Sequence, residues 1–154
     1  MGLAAIALGS NLTSQFGGRE RNLQTAVQRL RDFGEVKAIS PFYDTEPVGY
    51  LDQPRFLNGA LILETSLTPL ELMQTLLAIE REMGRERIVA KGPRVIDLDL
   101  LFYDNCVMNT PELTLPHPEM HNRRFVLEPL VGIAEDWVHP VLGLTVAEML
   151  IQAR

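Results

Sequence analysis

The chain has 154 residues, 46% of them hydrophobic and 22% charged, which is typical of a folded globular domain and argues against a disordered or fibrous chain. Its net charge of −6 excludes the broad basic surface of a general nucleic-acid-binding protein. Cys106 is the single cysteine, so no intrachain disulfide can form. We therefore predict one domain over residues 1–154 with no nucleic-acid or membrane partner. A monomer in the cytoplasm is a further expectation that these quantities do not determine.

The first third of the chain predicts a strand, a helix and a second strand. Leu3–Leu8 is an apolar run, far shorter than a membrane span, and predicts a buried strand that ends in the turn-forming triplet Gly9-Ser10-Asn11. Residues 21–33 carry apolar side chains at helical spacing. Residues 36–43 have strand character but contain Pro41, which favours an edge position or a strand end.

The middle of the chain predicts a loop, a buried strand and a capped helix. Residues 45–54 contain two prolines and a glycine, and a loop of this length is often a functional lid. Phe56–Thr65 returns to strand character, and Asn58 within it should be hydrogen-bonded to the nearby loop or to a ligand. Thr68-Pro69-Leu70-Glu71 is a capping box that starts the second helix. Near the end of that helix, Glu80 is expected to be solvated.

The stretch Arg94–Tyr103 carries the most informative pattern in the chain. Successive side chains of a strand point to opposite faces, so the apolar residues at even positions from 96 to 102 share one face, and Asp97 and Asp99 share the other. The two carboxylates would lie roughly 6–7 Å apart and would repel each other without a positive charge between them. Mg²⁺ takes oxygen ligands and shares its remaining positions with water and substrate phosphates. The stretch therefore predicts a magnesium–phosphate site.

The segment before this strand supplies the positive charge that a phosphate site needs. Residues 85–93 form a predicted loop with three cations, Arg85, Arg87 and Lys91, and Arg94 follows directly. The guanidinium fork of arginine suits bidentate contact with phosphate oxygens. For an isolated Asp-x-Asp pair, the alternative is that one aspartate pairs with an arginine and the other is solvated. Acids and bases so close in sequence favour the metal–phosphate interpretation.

The C-terminal part predicts a turn, an apolar segment and a final helix. In Leu115-Pro116-His117-Pro118 the histidine is held between prolines, either in a surface turn or at a ligand. Residues 125–133 form a largely apolar segment, and residues 137–151 predict a short hairpin or turn followed by a helix.

The order of the earlier elements, strand-helix-strand-strand-helix-strand, predicts the α+β class. It is the order of the ferredoxin-like βαββαβ fold, an antiparallel sheet with helices on one face, here with a C-terminal extension. The other face of the sheet would then be free to hold a ligand.

Several sequence blocks, in the same order, resemble the 6-hydroxymethyl-7,8-dihydropterin pyrophosphokinase family of folate biosynthesis. The resemblance runs from residue 5 to about residue 140. Its most specific block is Gly92-Pro93-Arg94-x-x-Asp97-Leu98-Asp99-Leu100. The others are Gly9-Ser10-Asn11-Leu12, Phe42-Tyr43-Asp44-Thr45, Asp52-Gln53-Pro54, Phe56-Leu57-Asn58, Ile79-Glu80, Leu113-Thr114-x-Pro116-His117 and Asn122-Arg123-x-Phe125.

The resemblance implies transfer of pyrophosphate from ATP to the hydroxymethyl group of the pterin, leaving AMP. It implies that Asp97 and Asp99 hold two Mg²⁺ ions, and that Arg85 and Arg94 stabilise charge on the transferring group. The implied ATP contacts are Arg87, Leu100, Thr114, His117 and Arg123. The implied pterin contacts are Thr45, Val48, Phe56, Asn58 and Phe125. The loops at Thr45 and Arg85 are predicted to order when both substrates bind.

Two other functions remain open on the same features. A magnesium-dependent nucleotidyltransferase would use the same Asp-x-Asp chemistry and release pyrophosphate from ATP. A non-catalytic ferredoxin-like module would bind a ligand without turnover, and Asp97→Ala would leave its function largely intact. The pair Asn58 and Phe125 favours the pterin pyrophosphokinase over both.

Overall fold

A computed structural model of the chain describes residues 1–47, 51–84 and 93–153. Its α-helices are α1 (Arg19–Leu30), α2 (Pro69–Glu82), α3 (Arg124–Ala134) and α4 (Val146–Gln152). Its strands are β1 (Gly2–Ser10), β2 (Glu35–Ile39), β3 (Tyr43–Thr45), β4 (Phe56–Thr65), β5 (Asp97–Tyr103), β6 (Met108–Asn109) and β7 (Thr114–Leu115). Short 3₁₀ turns at Arg31–Phe33 and Met120–Asn122 follow α1 and precede α3. The protein is therefore a mixed α and β protein, as predicted.

The main sheet has the order β2-β4-β1-β5, and β3 also pairs with β4. All of these described pairings are antiparallel. The single strand predicted over residues 36–43 is divided around Pro41 into β2 and β3, because proline cannot donate to the ladder. The edge position that Pro41 favoured is confirmed for β2, which ends the sheet.

Both helices on the first half of the chain begin and end close to their predicted bounds. At the start of α2, the Thr68 hydroxyl accepts a hydrogen bond from the Glu71 backbone N–H at 3.2 Å. The Glu71 carboxylate in turn accepts from the Thr68 N–H at 2.9 Å, which completes the predicted capping box. After α2, Gly84 has φ +89°, the left-handed conformation that ends many helices.

The turn predicted at Gly9-Ser10-Asn11 is wrong for its first two residues. β1 continues through Gly9 to Ser10, and Gly9 pairs with Asn58 on β4 and with Asp97 on β5. Because partner strands lie on both sides, ladder pairing overrides the local preference of glycine and serine for turns.

The predicted alternation along β5 is correct from residue 96 to residue 100 and then fails at Phe102. The register of β1 with β5 shifts between Ala5, opposite Phe102, and Ile6, opposite Leu100. A β-bulge inserts an extra residue and reverses the faces that follow it. Phe102 therefore points to the other side of the sheet, where it stacks on Trp137 with ring centroids 5.2 Å apart.

The sheet has a core on each face. The first core lies under α1 and α2 and includes Ile6, Leu8, Leu23, Leu61, Leu72, Leu98 and Leu100. The second core lies under α3 and α4 and includes Ala5, Ala60, Ile62, Phe102, Leu127 and Leu130. The prediction of helices on one face thus holds for α1 and α2, and the C-terminal extension places α3 on the face that was expected to be free.

The C-terminal extension follows its predicted form. Val138 and Thr145 form an isolated antiparallel bridge, and α4 starts directly after it. In the described part of the chain, none of the helices has the length and apolar character needed to cross a membrane.

Candidate active site

A cleft opens on the α3 side of the sheet, at the end where β1, β4 and β5 are not covered by that helix. Its floor is set by the register, which places Gly9 between Asn58 and Asp97, with Ala7 opposite Asp99. Residues directly opposite each other share a face of the sheet. Asp97 and Asp99 therefore lie on one face, as predicted, and line one cleft with Asn58 and Phe125.

Glycine at position 9 leaves the floor of this cleft open. A Cβ atom at Gly9 would lie 3.1 Å from Oδ1 of Asn58 and 4.0 Å from Cβ of Asp97. Any larger side chain would project between the amide and the carboxylate. The sequence predicted Gly9 as a turn residue and did not indicate that it keeps the floor of the cleft open. This role follows from the position of Gly9 between Asn58 and Asp97 on the neighbouring strands.

The two aspartates differ in their surroundings. Asp97 Oδ2 accepts a hydrogen bond from Arg94 Nη1 at 2.8 Å, and the exposed fractions of these side chains are 23% and 11%. One aspartate thus pairs with an arginine, as the alternative interpretation anticipated, but Asp99 also lines the cleft rather than facing bulk solvent alone.

These residues fit a magnesium ion that is shared with a phosphate. Within residues 1–47, 51–84 and 93–153, no group of three or more histidine, cysteine, aspartate or glutamate side chains is placed to hold a metal. Mg²⁺ does not require one, because it is usually bound through one or two carboxylates together with water and substrate phosphates. The Asp97–Asp99 pair has that donor set.

Two aromatic rings line the cleft, and the guanidinium group of an arginine lies against each ring. The Arg94 guanidinium lies 5.5 Å from the centre of the Phe56 ring. The Arg123 guanidinium lies 5.8 Å from the centre of the Phe125 ring. Cation–π contact holds each arginine beside an apolar surface. The cleft therefore combines flat apolar surface, suited to a planar ligand, with positive charge suited to an anion.

Asn58 supplies a fixed polar group in the cleft. It is 6% exposed, and its Nδ2 donates to the Thr45 hydroxyl. Thr45 begins the predicted 45–54 loop, one of the two partners expected for Asn58, although the structure places Thr45 at the end of β3. The bond orients the amide so that Oδ1 lies on the Gly9 side, where it can accept a hydrogen bond from a ligand.

His117 lies on the segment after β7, beside the cleft. Its Nδ1 accepts a hydrogen bond from the Glu119 backbone N–H at 3.2 Å, which leaves the proton of a neutral ring on Nε2. Burial lowers the pKa of His117, and the positive charge of Arg123 lowers that pKa further. A neutral His117 therefore offers one N–H donor to an anion near neutral pH.

The remaining predicted residues are not all brought into the cleft. Thr114 and His117 line a neighbouring apolar groove, although Asp97 is close enough to His117 to act on its pKa. The side chain of Leu100 lies in the core under α1 and α2, on the face opposite the aspartates. Val48, Arg85 and Arg87 lie outside the described residues, as do the parts of the 45–54 and 85–93 loops on which the predicted ordering depends.

Asn11 and Glu80 were not predicted as site residues, but both are buried next to the site. Asn11, 2% exposed, donates from Nδ2 to Gln53 Oε1 at 2.9 Å and to the Pro54 carbonyl at 3.0 Å. Its Oδ1 accepts from the Arg94 backbone N–H at 2.8 Å. Glu80, expected to be solvated, is 3% exposed. Sequence spacing placed Glu80 at the border of the apolar stripe and could not reveal its partner on another element.

Fold and cleft together define a class: a mixed α and β protein whose antiparallel sheet carries a pair of aspartates, two arginines and two aromatic rings in one cleft. The chain belongs to the 7,8-dihydro-6-hydroxymethylpterin-pyrophosphokinase (HPPK) family, whose sequence model matches residues 5–135.

Individual relatives agree with this membership. The chain is 45% identical over 135 residues to the 2-amino-4-hydroxy-6-hydroxymethyldihydropteridine pyrophosphokinase of Bacillus subtilis, covering 86% of this chain and 78% of that protein. It is 40% identical over 150 residues to the folic acid synthesis protein fol1 of Schizosaccharomyces pombe, covering 96% of this chain but only 20% of fol1. The chain thus spans about a fifth of the length of fol1.

A solved structure shares the fold. The crystal structure of Plasmodium falciparum HPPK-DHPS superposes with a TM-score of 0.80 at 16% sequence identity, covering 98% of this chain and 44% of that one. At this identity the likeness concerns the fold alone.

Proposed function

We propose that the chain transfers pyrophosphate from ATP to the hydroxymethyl group of 6-hydroxymethyl-7,8-dihydropterin, giving AMP and the pterin pyrophosphate in folate biosynthesis. The observation that carries the proposal is that the Asp97–Asp99 pair, Asn58 and the rings of Phe56 and Phe125 line one cleft. Membership of the pyrophosphokinase family supports the same reaction.

In this proposal Asp97 and Asp99 hold two Mg²⁺ ions. When bound, the ions would neutralise charge on the triphosphate and polarise the attacking hydroxyl. The two carboxylates are held at a fixed spacing on one face of the strand. This spacing would position the Mg²⁺–triphosphate complex relative to the flat ligand. Catalysis of this kind depends on positioning and charge stabilisation rather than on a protein nucleophile.

The cations of the cleft are proposed to bind the phosphates of ATP. Arg94 lies between Asp97 and the Phe56 ring, so it can stabilise charge on the transferring group from its present position. Arg123 and the Nε2–H group of neutral His117 would contact other phosphate oxygens. Arg85 is proposed to act with Arg94. The remaining proposed ATP contacts are Arg87, Thr114 and the backbone of Leu100, because the Leu100 side chain lies in the core on the opposite face.

The aromatic slot is proposed to hold the pterin. Phe56 and Phe125 would pack on its faces, and Oδ1 of Asn58 would accept a hydrogen bond from its edge, held in place by Thr45. Val48 is proposed to complete the pocket. Gly9 allows the pterin edge to approach the floor of the cleft, because no side chain stands between Asn58 and Asp97.

We also propose the finer features of fold and assembly. The order β2-β4-β1-β5 with α1 and α2 on one face supports a ferredoxin-like βαββαβ arrangement with a C-terminal extension, as one pyrophosphokinase domain over residues 1–154. The net charge of −6 supports small-molecule substrates over nucleic acid. A monomer in the cytoplasm remains our proposal for its state and location.

Nucleotide analysis tests the proposed reaction. The chain is incubated with ATP, Mg²⁺ and 6-hydroxymethyl-7,8-dihydropterin, and we expect AMP and pterin pyrophosphate in equal amounts. Omitting the pterin should abolish AMP formation. Release of free pyrophosphate would identify a nucleotidyltransferase instead, and ligand binding without any turnover would identify a binding module.

A further inference from the structure

Glu80 is an acid on the buried face of a helix, next to the strand that carries the two aspartates. It lies in α2 among Leu76, Ile79 and Met83 and is 3% exposed. Burying a carboxylate away from water is costly unless hydrogen bonds satisfy it. A specific partner must therefore account for an acid at this position.

That partner is the backbone of the acidic strand. Oε2 of Glu80 accepts a hydrogen bond from the Leu98 N–H at 2.8 Å, and Leu98 is the residue between Asp97 and Asp99. This distance is typical of a strong bond to a carboxylate oxygen.

The topology explains why the strand needs such a partner. β5 is the last strand in the order β2-β4-β1-β5, so one edge of it faces away from the sheet. In an antiparallel ladder, backbone groups alternate between the two edges. Because the Leu98 N–H points outward to Glu80, the backbone groups of Asp97 and Asp99 point inward, toward their register partners Gly9 and Ala7 on β1. The ladder thus holds both aspartates from one side, and Glu80 holds the peptide between them from the other.

We infer that Glu80 is a positioning residue, which fixes the spacing of Asp97 and Asp99 for their divalent ions by anchoring the Leu98 amide. The inference rests on the proposed function of the aspartate pair. Residues that orient the ligands of a metal usually change metal affinity or activity by about 10- to 100-fold when they are replaced.

Two conservative variants separate the effect of the length of the Glu80 side chain from the effect of its charge. Glu80→Gln keeps the length of the side chain and an oxygen that can accept from Leu98, but removes the charge. Glu80→Asp keeps the charge but withdraws the oxygen by about 1.5 Å, the length of one C–C bond. Positioning requires that Glu80→Asp be impaired and that Glu80→Gln stay close to the wild type.

The readout is the Mg²⁺ concentration that gives half-maximal AMP formation, together with calorimetric titration of Mg²⁺ into the chain and a non-hydrolysable ATP analogue. For Glu80→Asp we expect the half-maximal Mg²⁺ concentration and the Mg²⁺ dissociation constant from the titration each to rise about 10- to 100-fold. For Glu80→Gln we expect each to rise less than about threefold. Amide hydrogen exchange at Leu98 should be faster in Glu80→Asp alone. Glu82→Asp is the matched control, because Glu82 lies on the same helix, is 61% exposed and pairs with Arg29 rather than with β5.

The outcomes separate this inference from the proposed function. If the wild-type chain forms no AMP, the proposed function fails and the inference fails with it. If the wild type is active but both Glu80 variants keep the wild-type Mg²⁺ dependence, only the inference is overturned, and a lowered melting temperature alone would mean a structural role. If Glu80→Gln is as impaired as Glu80→Asp, charge rather than position is what Glu80 contributes, which also overturns it.

Discussion

The two faces of the central sheet are built on the same strands but differ in the size of their side chains. Toward α1 and α2, β1 presents Ile6 and Leu8, which are buried in a continuous core. Toward α3 it presents Leu3 near the start of the strand and then the small residues Ala5, Ala7 and Gly9 at alternating positions. α3 covers Ala5, and the cleft opens over Ala7 and Gly9. One alternation therefore produces both the core that stabilises the fold and the space in which chemistry can occur.

This contrast predicts that replacements on the two faces have opposite effects. Replacements in the cleft should change ligand binding and turnover with little change in stability. Replacements in the core under α1 and α2 should change stability with little change in ligand affinity.

The largest effect is expected for the acidic pair. Asp97→Asn or Asp99→Asn should lower kcat by roughly 10²–10³-fold, because each replacement removes a carboxylate charge that would bind the Mg²⁺ ions of the Mg²⁺–ATP complex. Steady-state AMP formation measures the effect. Asp32→Asn, at an exposed position in the 3₁₀ turn after α1, should leave kcat unchanged. Full activity of both cleft variants would show that the pair is not part of the chemistry.

The next largest effect is expected in the helix-side core. Ile6 is 0% exposed, and Ile6→Ala should lower the free energy of unfolding by about 2–5 kcal/mol through lost burial and the cavity left behind. Urea denaturation measures this loss. Below the unfolding transition, the affinity for ATP and pterin should stay within a factor of two or so, since the side chain points away from the cleft. A loss of affinity without a loss of stability would contradict the division between the faces.

A smaller effect is expected from filling the floor of the cleft. Gly9→Val places methyl groups between Asn58 and Asp97, so pterin affinity should fall by at least roughly 10-fold, the lower end of the range for a mismatch of one methylene in a pocket. Calorimetric titration with the pterin measures it. Gly132→Val on α3, where a Cβ meets no atom within 4 Å, is the control with unchanged affinity. Unaltered pterin binding in Gly9→Val would place the ligand elsewhere.

The smallest effect concerns pH. Burial lowers the pKa values of both His117 and His139 below the ordinary value of 6.5. The unfolded chain therefore binds more protons than the folded chain as the pH falls below about 6.5, and the folded protein loses stability as the pH falls through the lowered pKa values. Denaturation curves between pH 7 and 5 should show this decline. In the double variant His117→Asn/His139→Asn, the free energy of unfolding should decline less steeply as the pH falls. An unchanged dependence on pH would mean that other groups cause the decline.

Local sequence signals were enough for much of the fold and for the centre of the site. The capping box at Thr68 fixed the start of α2, and alternation along β5 placed Asp97 and Asp99 on one face. Both signals act within a few residues. The bulge opposite Ala5 and Ile6 turns Phe102 to the other face. It depends on the register between β1 and β5 and is not visible in the sequence of either strand.

The same limit explains the residues to which the sequence assigned a different role. Glu80 lies on a helix whose periodicity was recognised, but its hydrogen bond reaches Leu98 on another element. Gly9 was assigned to a turn because glycine favours turns, whereas its strand partners, Asn58 and Asp97, come from distant segments. The position of α3 on the second face likewise follows from packing of the C-terminal extension and not from its own apolar pattern.

Asn11 has a consequence for engineering this scaffold. One carboxamide joins the Gln53–Pro54 segment, which precedes β4, to the backbone of Arg94, which precedes β5, so the two segments share an anchor. A chimera that imports residues 51–54 from a homologue, while keeping a different side chain at position 11, would disturb the placement of Arg94 as well. Altered substrate preference and altered turnover would then arise together from one exchange, and libraries that vary the two segments should vary position 11 with them.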